Sequence, residues 1–263
     1  MGWTALNPPV TDWRGRSVWL IGASTGIGRA CAEALIAAGA RVAVSARQAP
    51  LLQELCAGHD ALPVPCDVTD PDSLRQTAER VRIHQGLDWV IYCAGHYKAI
   101  RPLNGIDLPE LMKHQAVNYH GALYMLDAVL PTLVAQGRGH ISLLGSVAGY
   151  RGLPMSMAYG PTKAALYHLA EILHMELRPA GVGVSVVNPG FVATPLTAQN
   201  QFHMPALIQP DEAAREMLHG WQQGRFEIHF PRRFSRFLKC LRWLPDRLYF
   251  ALVWRGTQGS LKR

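Results

Sequence analysis

A tyrosine and a lysine lie four positions apart in the segment "SMAYGPTKAALYHLAEIL", which spans residues 156–173. Residues four apart on a helix are neighbours, so the side chains of Tyr159 and Lys163 are within reach of each other. A nearby ammonium favours the tyrosinate and lowers a tyrosine pKa from its ordinary value near 10. The pair is therefore a candidate proton donor and acceptor, although an isolated Tyr-x3-Lys is more often a solvated helix pair.

A glycine-rich turn stands near the start of the chain, in "WLIGASTGIGRACAEALIAAGARVAVSAR". Gly22, Gly26 and Gly28 follow an apolar strand pattern and open a helical pattern. Glycines let the backbone turn tightly and approach a pyrophosphate, and the N-terminus of the helix supplies free N–H groups. The turn therefore predicts a dinucleotide site rather than an ordinary loop.

The end of the second predicted strand, "VSAR", bears on the choice of dinucleotide. Ala46 stands where an NAD-selective protein usually carries an acid for the ribose 2′-hydroxyl, and Arg47 follows it. A neutral residue beside an arginine accommodates a 2′-phosphate. We therefore expect NADP(H) in preference to NAD(H). The alternative is that Arg47 is a solvated surface arginine.

The elements that must position these residues alternate along the chain. Helices are predicted near 27–38, 71–84, 108–136, 161–178 and 210–223, and the strands are "SVWLIGAS", "RVAVSAR", "ALPVPCDV", "LDWVIYCAG", "GHISLLGS" and "VGVSVVNPG". Continuous apolar strands separated by helices are typical of an α/β, doubly wound parallel sheet with helices on both faces. We predict a single Rossmann-type domain at residues 1–230 and a basic amphipathic C-terminal extension at residues 231–263.

Charge and composition exclude several classes of protein. Residues 231–263 hold nine Lys/Arg and one acid, whereas the preceding 230 residues hold 17 basic and 18 acidic residues, so the folded body lacks the basic face of a nucleic-acid-binding domain. No apolar run approaches the roughly 20 residues of a membrane span, and the first residues lack a signal-peptide pattern. The five cysteines and eleven histidines show no paired or metal-ligand spacing. We expect a cytoplasmic protein with free thiols and without metal.

Ser146 in "LLGSVAG", followed thirteen residues later by "YGPTK", completes a pattern with the glycine turn. Over residues 14–195 this pattern resembles the short-chain dehydrogenase/reductase family. The resemblance implies that Asn118, Ser146, Tyr159 and Lys163 form a catalytic tetrad. Tyr159 is then the acid in reduction and the base in oxidation, Ser146 holds the carbonyl oxygen, Lys163 also bonds the nicotinamide ribose, and Asn118 anchors a water that links Lys163 to solvent.

The same resemblance implies a set of cofactor-binding positions from the glycine turn to "NPGFVAT". They are Gly22, Ser24, Thr25, Gly26, Ile27, Gly28, Arg47, Asp67, Val68, Ala94, Gly95, Tyr159, Lys163, Pro189, Gly190, Val192 and Thr194. Two positions depart from the family pattern. Ile21 replaces a threonine before the first glycine, and Tyr92–Cys93 replace two asparagines before Ala94. These departures remove polar groups that stabilise loops in relatives, but none that transfers a proton.

The basic extension contains "FPRRFSRFLKCLRWLPDRLYFALVWR". On a helical wheel one apolar stripe holds Phe234, Phe237, Leu238, Leu241 and Leu244, opposite four basic residues. Such a helix is typical of contact with an anionic membrane surface, here over residues 232–254. The alternative is that the stripe packs over the substrate pocket or against a second subunit.

The leading expectation is an NADPH-dependent reductase of an apolar or lipid-like ketone or aldehyde. The alternatives are an alcohol dehydrogenase that works in the oxidative direction and a non-catalytic NADP-binding protein at a membrane. The family resemblance also implies a homodimer or homotetramer paired through helices 108–136 and 161–178, although those apolar faces are equally suited to covering the sheet. Weaker candidates for the substrate pocket are His96, His120, His203, Phe191, Leu196 and Met204.

Overall fold

Seven parallel strands form one sheet in the computed structural model, which describes residues 5–200 and 204–261, with the backbone alone described at 258–261. The strand order is β3-β2-β1-β4-β5-β6-β7. The strands are β1 (Ser17–Ile21), β2 (Arg41–Ser45), β3 (Ala61–Pro63), β4 (Trp89–Tyr92), β5 (Gly139–Leu144), β6 (Val182–Pro189) and β7 (Glu227–Phe230). The predicted α/β fold with a parallel sheet is confirmed.

Helices cover both faces of the sheet, which explains why its strands are apolar at consecutive positions. The helices are α1 (Gly26–Ala37), α2 (Ala49–Cys56), α3 (Pro71–Gln85), α4 (Leu108–His114), α5 (Gly121–Ala135), α6 (Tyr159–Leu177), α7 (Pro210–Gln222), α8 (Arg232–Arg242) and α9 (Asp246–Leu261). In β1, Val18 and Leu20 enter one core with α1 and α7, whereas Trp19 and Ile21 enter the other core with α3, α5 and α6.

The order in which the strands are added to the sheet reverses between β1 and β4, which are neighbours. From β1 the chain proceeds through β2 to β3 at one edge, and from β4 it proceeds through β5 and β6 to β7 at the other. In parallel α/β sheets a crevice opens beyond the carboxyl ends of the strands at such a reversal, and ligands bind there. The fold therefore brings together the residues that follow β1, β2, β4, β5 and β6.

Several elements differ from the sequence-based expectations. The helix expected at 108–136 is interrupted by a π-helical segment, Gln115–His120, between α4 and α5. α2 and β7 were not expected, because eight and four residues are too short to show a clear period. The helix that carries the Tyr–Lys pair begins at Tyr159, two residues earlier than expected.

The C-terminal residues form two helices that pack on the domain. The hydroxyl of Tyr249 donates to the carbonyl oxygen of Gly152 at 2.7 Å, and the guanidinium of Arg151 lies 3.8 Å from the centroid of the Tyr249 ring. Along the described residues no helix is both long and apolar enough to cross a bilayer. The boundary at residue 230 stays a prediction.

The apolar stripe predicted on α8 is largely turned toward the protein itself. Leu241 is buried, and Phe234, Leu238 and Leu244 are partly buried, which favours packing against the chain as the role of these four side chains. Phe237 differs, because 58% of it remains exposed. Phe234 packs near Phe191 in the loop after β6, with ring centroids 5.9 Å apart. Contact of residues 232–254 with a membrane stays a prediction, since the outward side of the helix is not covered by the chain.

Candidate functional site

A cleft of about 530 Å³ opens at the carboxyl ends of the strands where the chain reverses direction. Every predicted cofactor position lines this cleft, and so do three of the four predicted catalytic residues, Ser146, Tyr159 and Lys163. Asn118 lies behind the wall, fully buried. Residues that follow six of the strands thus meet in one site. Their individual roles toward a cofactor stay predictions.

The glycine turn after β1 requires residues without a side chain. Gly22 has a φ of +92°, and a Cβ atom there would lie 2.4 Å from the backbone nitrogen of Ala94. A Cβ atom on Gly28 would lie 2.0 Å from the carbonyl oxygen of Gly22. The main-chain atoms of the turn, of the start of α1 and of the loop after β4 are therefore in direct contact with one another. This leaves a cradle whose surface is main chain.

The N-terminus of α1 forms one wall of this cradle. The helix begins at Gly26, and the preceding Thr25 has extended backbone and caps no N–H group with its side chain. The N–H groups of a first helical turn have no partner within the helix, and they carry positive partial charge. A backbone cradle next to a helix N-terminus suits the diphosphate of a dinucleotide. The residues present therefore fit the cofactor implied by the sequence.

The ends of β2 and β3 supply the other end of the cleft. Arg47 is exposed at the rim and close enough to Asp67 for its guanidinium to act on the carboxylate. Partial burial opposes ionisation of Asp67, but hydrogen bonds from Thr69 and the charge of Arg47 outweigh it and lower the pKa of the carboxyl group. An exposed cation therefore stands beside an ionised carboxylate in this part of the cleft.

Tyr159, Ser146 and Lys163 converge because α6 begins beside the loop that follows β5. The hydroxyl of Ser146 accepts a hydrogen bond from the backbone of Ala148 at 3.1 Å, and a second hydrogen bond joins Ser146 to the phenol of Tyr159. The ammonium of Lys163 donates to the carbonyl oxygen of Leu144 at 2.6 Å and lies 5.4 Å from the centroid of the Tyr159 ring. A phenol, a hydroxyl and an ammonium thus share one wall.

The expected lowering of the Tyr159 pKa is absent from this structure. Burial raises the pKa of Tyr159 to about 12, although the hydrogen bond with Ser146 opposes the shift. Burial also lowers the pKa of Lys163 to about 8. The reason is that the ammonium points to the backbone of β5 rather than to the phenolic oxygen, so loss of solvation dominates both groups. The phenol is therefore protonated at neutral pH.

Asn118 occupies the π-helical segment and fastens the loop after β4. Its side-chain amide donates to the carbonyl oxygen of His96 and to the hydroxyl of Thr162, both at 3.0 Å, and its oxygen accepts from the backbone N–H of His96 at 2.6 Å. The side chain is thus occupied by protein partners. Any water held at this position would have to use the backbone of the segment.

Several residues that line the cleft did not stand out in the sequence. Tyr97 packs edge-on against Tyr159 with ring centroids 5.0 Å apart, and the side chain of Gln199 donates to the carbonyl oxygen of Tyr97 at 2.6 Å. Lys113 also reaches the cleft. No motif marks these three positions, since long-range packing alone places them there.

The weaker pocket candidates divide into two groups. His96 and Leu196 line the cleft. Among the described residues, His120, Phe191 and Met204 do not contribute to its lining. Phe191 instead packs near Phe234, with ring centroids 5.9 Å apart. His203 lies outside the described residues.

His96, Glu110 and His114 form a polar cluster beside the cleft, with potential ligand atoms within 4.8 Å of one another. Both ring nitrogens of His114 already have partners, however. Nδ1 donates to the carbonyl oxygen of Glu110 at 2.8 Å, and Nε2 accepts from the backbone N–H of Lys98 at 3.0 Å. The remaining contact joins His96 to the Glu110 carboxylate. We therefore assign the cluster to the support of the loop and assign no metal to it.

Comparison with known proteins matches residues 16–204 to the family model for short chain dehydrogenases. An uncharacterized oxidoreductase of Myxococcus xanthus is 36% identical over 255 residues, which cover 91% of this chain and 97% of the relative. The structure of a short-chain dehydrogenase from Streptomyces avermitilis has a TM-score of 0.79 at 25% identity, covering 93% of this chain and 98% of that one. A structure named as ribose-5-phosphate isomerase from Brucella melitensis has a TM-score of 0.75 at 26% identity, with 83% and 92% covered.

Proposed function

The chain belongs to the short-chain dehydrogenase family and is an oxidoreductase with a dinucleotide cofactor, and from that premise we propose that it reduces a ketone or aldehyde with NADPH. One observation carries the proposal. The phenol of Tyr159, the hydroxyl of Ser146 and the ammonium of Lys163 line the same cleft as the glycine cradle. A carbonyl group placed between the two ends of the cleft would therefore meet a proton donor.

The proposed reaction divides between cofactor and protein. Held by the glycine cradle and Lys163, the nicotinamide cofactor would supply the hydride for the carbonyl carbon, and the protein would supply the proton. The negative charge that develops on the carbonyl oxygen needs a hydrogen-bond donor and a proton. Ser146 donates a hydrogen bond to that oxygen, and Tyr159 transfers its phenolic proton to it, so the product is an alcohol. Reduction uses Tyr159 in its protonated form. With its raised pKa, the phenol is protonated at neutral pH.

Lys163 has two roles in this proposal. It holds the end of β5 through its bond to Leu144, and its ammonium is available to a ribose hydroxyl of the cofactor in the same cleft. Its positive charge also favours the phenolate left after proton transfer. Arg47 would meet the 2′-phosphate, which is the basis for proposing NADPH rather than NADH.

The substrate end of the cleft supports an apolar or lipid-like carbonyl compound. Tyr97 and Leu196 offer apolar surface next to Tyr159, and Gln199 and His96 add polar groups at the same end. Oxidation of a secondary alcohol is the reverse of the same reaction and needs Tyr159 as its phenolate. Burial raises the pKa of Tyr159 to about 12, so the protonated phenol that reduction needs is its predominant form at neutral pH.

A panel of ketones and aldehydes, followed by the loss of NADPH absorbance, tests the proposal. We expect consumption of NADPH with at least one apolar carbonyl compound and weaker or no reaction with NADH. Reaction of secondary alcohols with NADP⁺ at neutral pH, faster than the reduction of the matching ketones under initial-rate conditions, would contradict the proposed direction. Cofactor binding without turnover across the panel, even with the tetrad intact, would favour the non-catalytic alternative.

A further inference from the structure

The two C-terminal helices are firmly attached to the domain on one side. Arg151 donates to the carbonyl oxygen of Leu244 at 2.8 Å and pairs with the carboxylate of Asp246. Lys239 pairs with the buried carboxylate of Glu227 on β7. These contacts fix where α8 ends and α9 begins. The outward sides of both helices are therefore a defined surface of the folded chain.

Large apolar side chains cover this outward surface. Trp243, at the junction of α8 and α9, is 86% exposed, and five more side chains on the two helices are each about half exposed or more. We call these six the C-terminal apolar surface: Phe237, Trp243, Leu248, Phe250, Leu252 and Trp254. On α9 these side chains lie on two flanks, Leu248 with Leu252 and Phe250 with Trp254, on either side of the outward-facing Ala251 and Arg255. Large apolar side chains exposed in this number cost free energy in water and are typical of a binding surface.

Exposed arginines are interleaved with the apolar surface. They are Arg233, Arg236, Arg242, Arg247 and Arg255. The single acid in residues 231–263 is Asp246, and its carboxylate is paired with Arg151 from the domain. The surface therefore combines aromatic and aliphatic side chains with a strong positive charge.

We propose that the C-terminal apolar surface binds the face of a membrane that contains anionic lipid. Tryptophan and phenylalanine favour the boundary between headgroups and acyl chains, and arginine is attracted to anionic headgroups. A second copy of the chain fits less well. A symmetric contact through this surface would place five arginines against the same five arginines, which is repulsive. Charge complementarity selects the lipid.

The helix α8 itself lies next to one wall of the cleft. Phe234, on the inward side of α8, would contact a Cβ atom on Gly190 at 3.0 Å, and Gly190 lines the cleft. Binding would thus occur next to the active site, where a lipid-like carbonyl compound would arrive from the bilayer. The membrane contact itself does not depend on the proposed redox reaction.

Flotation of the full-length protein with vesicles tests the proposal. We expect the protein to float with vesicles of phosphatidylcholine and phosphatidylglycerol, to float weakly with phosphatidylcholine alone, and to be released by salt. The variant Arg233→Gln/Arg236→Gln should bind the anionic vesicles at least tenfold more weakly, since each arginine near such a surface is worth about fivefold. Trp243→Ser/Trp254→Ser should lose binding to a similar extent. Circular dichroism checks that both variants fold.

Two matched variants control for general changes in charge and hydrophobicity. Arg80→Gln/Arg138→Gln removes two arginines elsewhere on the surface, and Ile83→Ser/Leu103→Ser removes two exposed apolar side chains. Both should float like the parent protein. The proposal is overturned if the parent fails to float with anionic vesicles, or if the test and control variants bind equally. A different outcome would assign the surface to a second copy of the chain: the parent does not float, and Trp243→Ser/Trp254→Ser has half the molar mass of the parent in light scattering.

Discussion

The ammonium of Lys163 does not lower the pKa of the Tyr159 phenol in this structure, contrary to the expectation from their spacing. Their alignment on α6 follows from four-residue spacing, which the sequence shows directly. The ammonium nevertheless bonds to Leu144 on β5, and burial sets the pKa of both side chains. Sequence spacing predicts which residues share a helix face. It does not predict that a backbone carbonyl from another strand competes for the ammonium, since that depends on how α6 packs against β5.

The burial of Lys163 makes a prediction about pH and stability. Its pKa falls from 10.5 to about 8 in the folded chain, so between these values the unfolded chain binds more protons and the free energy of unfolding rises with pH. The contribution across this interval is about 3 kcal/mol. Lys163→Met should therefore lack this rise, measured by urea unfolding at a series of pH values. The exposed Lys113→Met is the control, and parallel curves for the parent and Lys163→Met would contradict the prediction.

Arg47 makes a prediction about cofactor selectivity. If its guanidinium meets the 2′-phosphate, Arg47→Ala loses a charged hydrogen bond worth about 1.5–3 kcal/mol. The ratio kcat/KM for NADPH should fall roughly tenfold to a hundredfold, since about 1.4 kcal/mol is tenfold, while the value for NADH changes little. Arg41→Ala removes an exposed arginine from the opposite end of the same strand and should leave both values unchanged. A constant NADPH-to-NADH ratio in Arg47→Ala would show that this arginine is merely solvated.

Among the elements, the long strands were the most predictable and the connections the least. Five of the six expected strands are apolar along their length and buried on both sides, so the pattern and the fold agree. The π-helical segment had no such signal in the sequence, and it accepts a hydrogen bond from outside the helix. The hydroxyl of Tyr92 at the end of β4 donates to the carbonyl oxygen of Val117 at 2.6 Å. The tyrosine that replaces a family asparagine thus supplies a polar contact of its own.

Tyr92→Phe tests the importance of that contact. The substitution keeps the ring but leaves the carbonyl oxygen of Val117 without its partner. The backbone of Gly121 lies close to the hydroxyl group that is removed. We expect a loss of about 1–3 kcal/mol in the free energy of unfolding, read from the urea midpoint at constant m-value. Tyr124→Phe removes a partly exposed phenolic hydroxyl on the adjoining helix and should cost less. Equal midpoints for Tyr92→Phe and the parent would show that the bond contributes nothing.

For the whole molecule, the sequence indicated one α/β body with a basic end, whose role stays a proposal. The stripe on α8 was visible, but most of it packs against the chain itself, with Phe237 exposed. α9 was hidden because only seven of its residues are consecutively apolar. α9 is held through contacts of Arg151 with Tyr249 and Asp246, which lie about a hundred positions apart in the sequence. Distant pairs of this kind leave no local period. The outward surface of the C-terminal helices could therefore be defined only from the structure.

Assembly is a further property of the whole molecule. We propose a homodimer or homotetramer through α5 and α6, and the apolar side chains Ile172 and Met175 of α6 are 41% and 67% exposed. Ile172→Glu/Met175→Glu should then lower the molar mass measured by light scattering, because charges buried in an interface repel across the symmetry axis. Leu103→Glu adds a charge at an exposed apolar position elsewhere and should leave the mass unchanged. A monomeric parent protein would rule out this assembly.

The central claim is that the phenolic proton of Tyr159 reaches the carbonyl oxygen of a substrate in the cleft. Tyr159→Phe keeps the aromatic ring and its packing against Tyr97 but removes that proton. With a ketone identified from the panel, the rate of NADPH oxidation at saturating cofactor should fall at least about a hundredfold, while the Kd for NADPH stays within a few-fold of the parent value. Reduction of the ketone by Tyr159→Phe at nearly the parent rate would contradict the account.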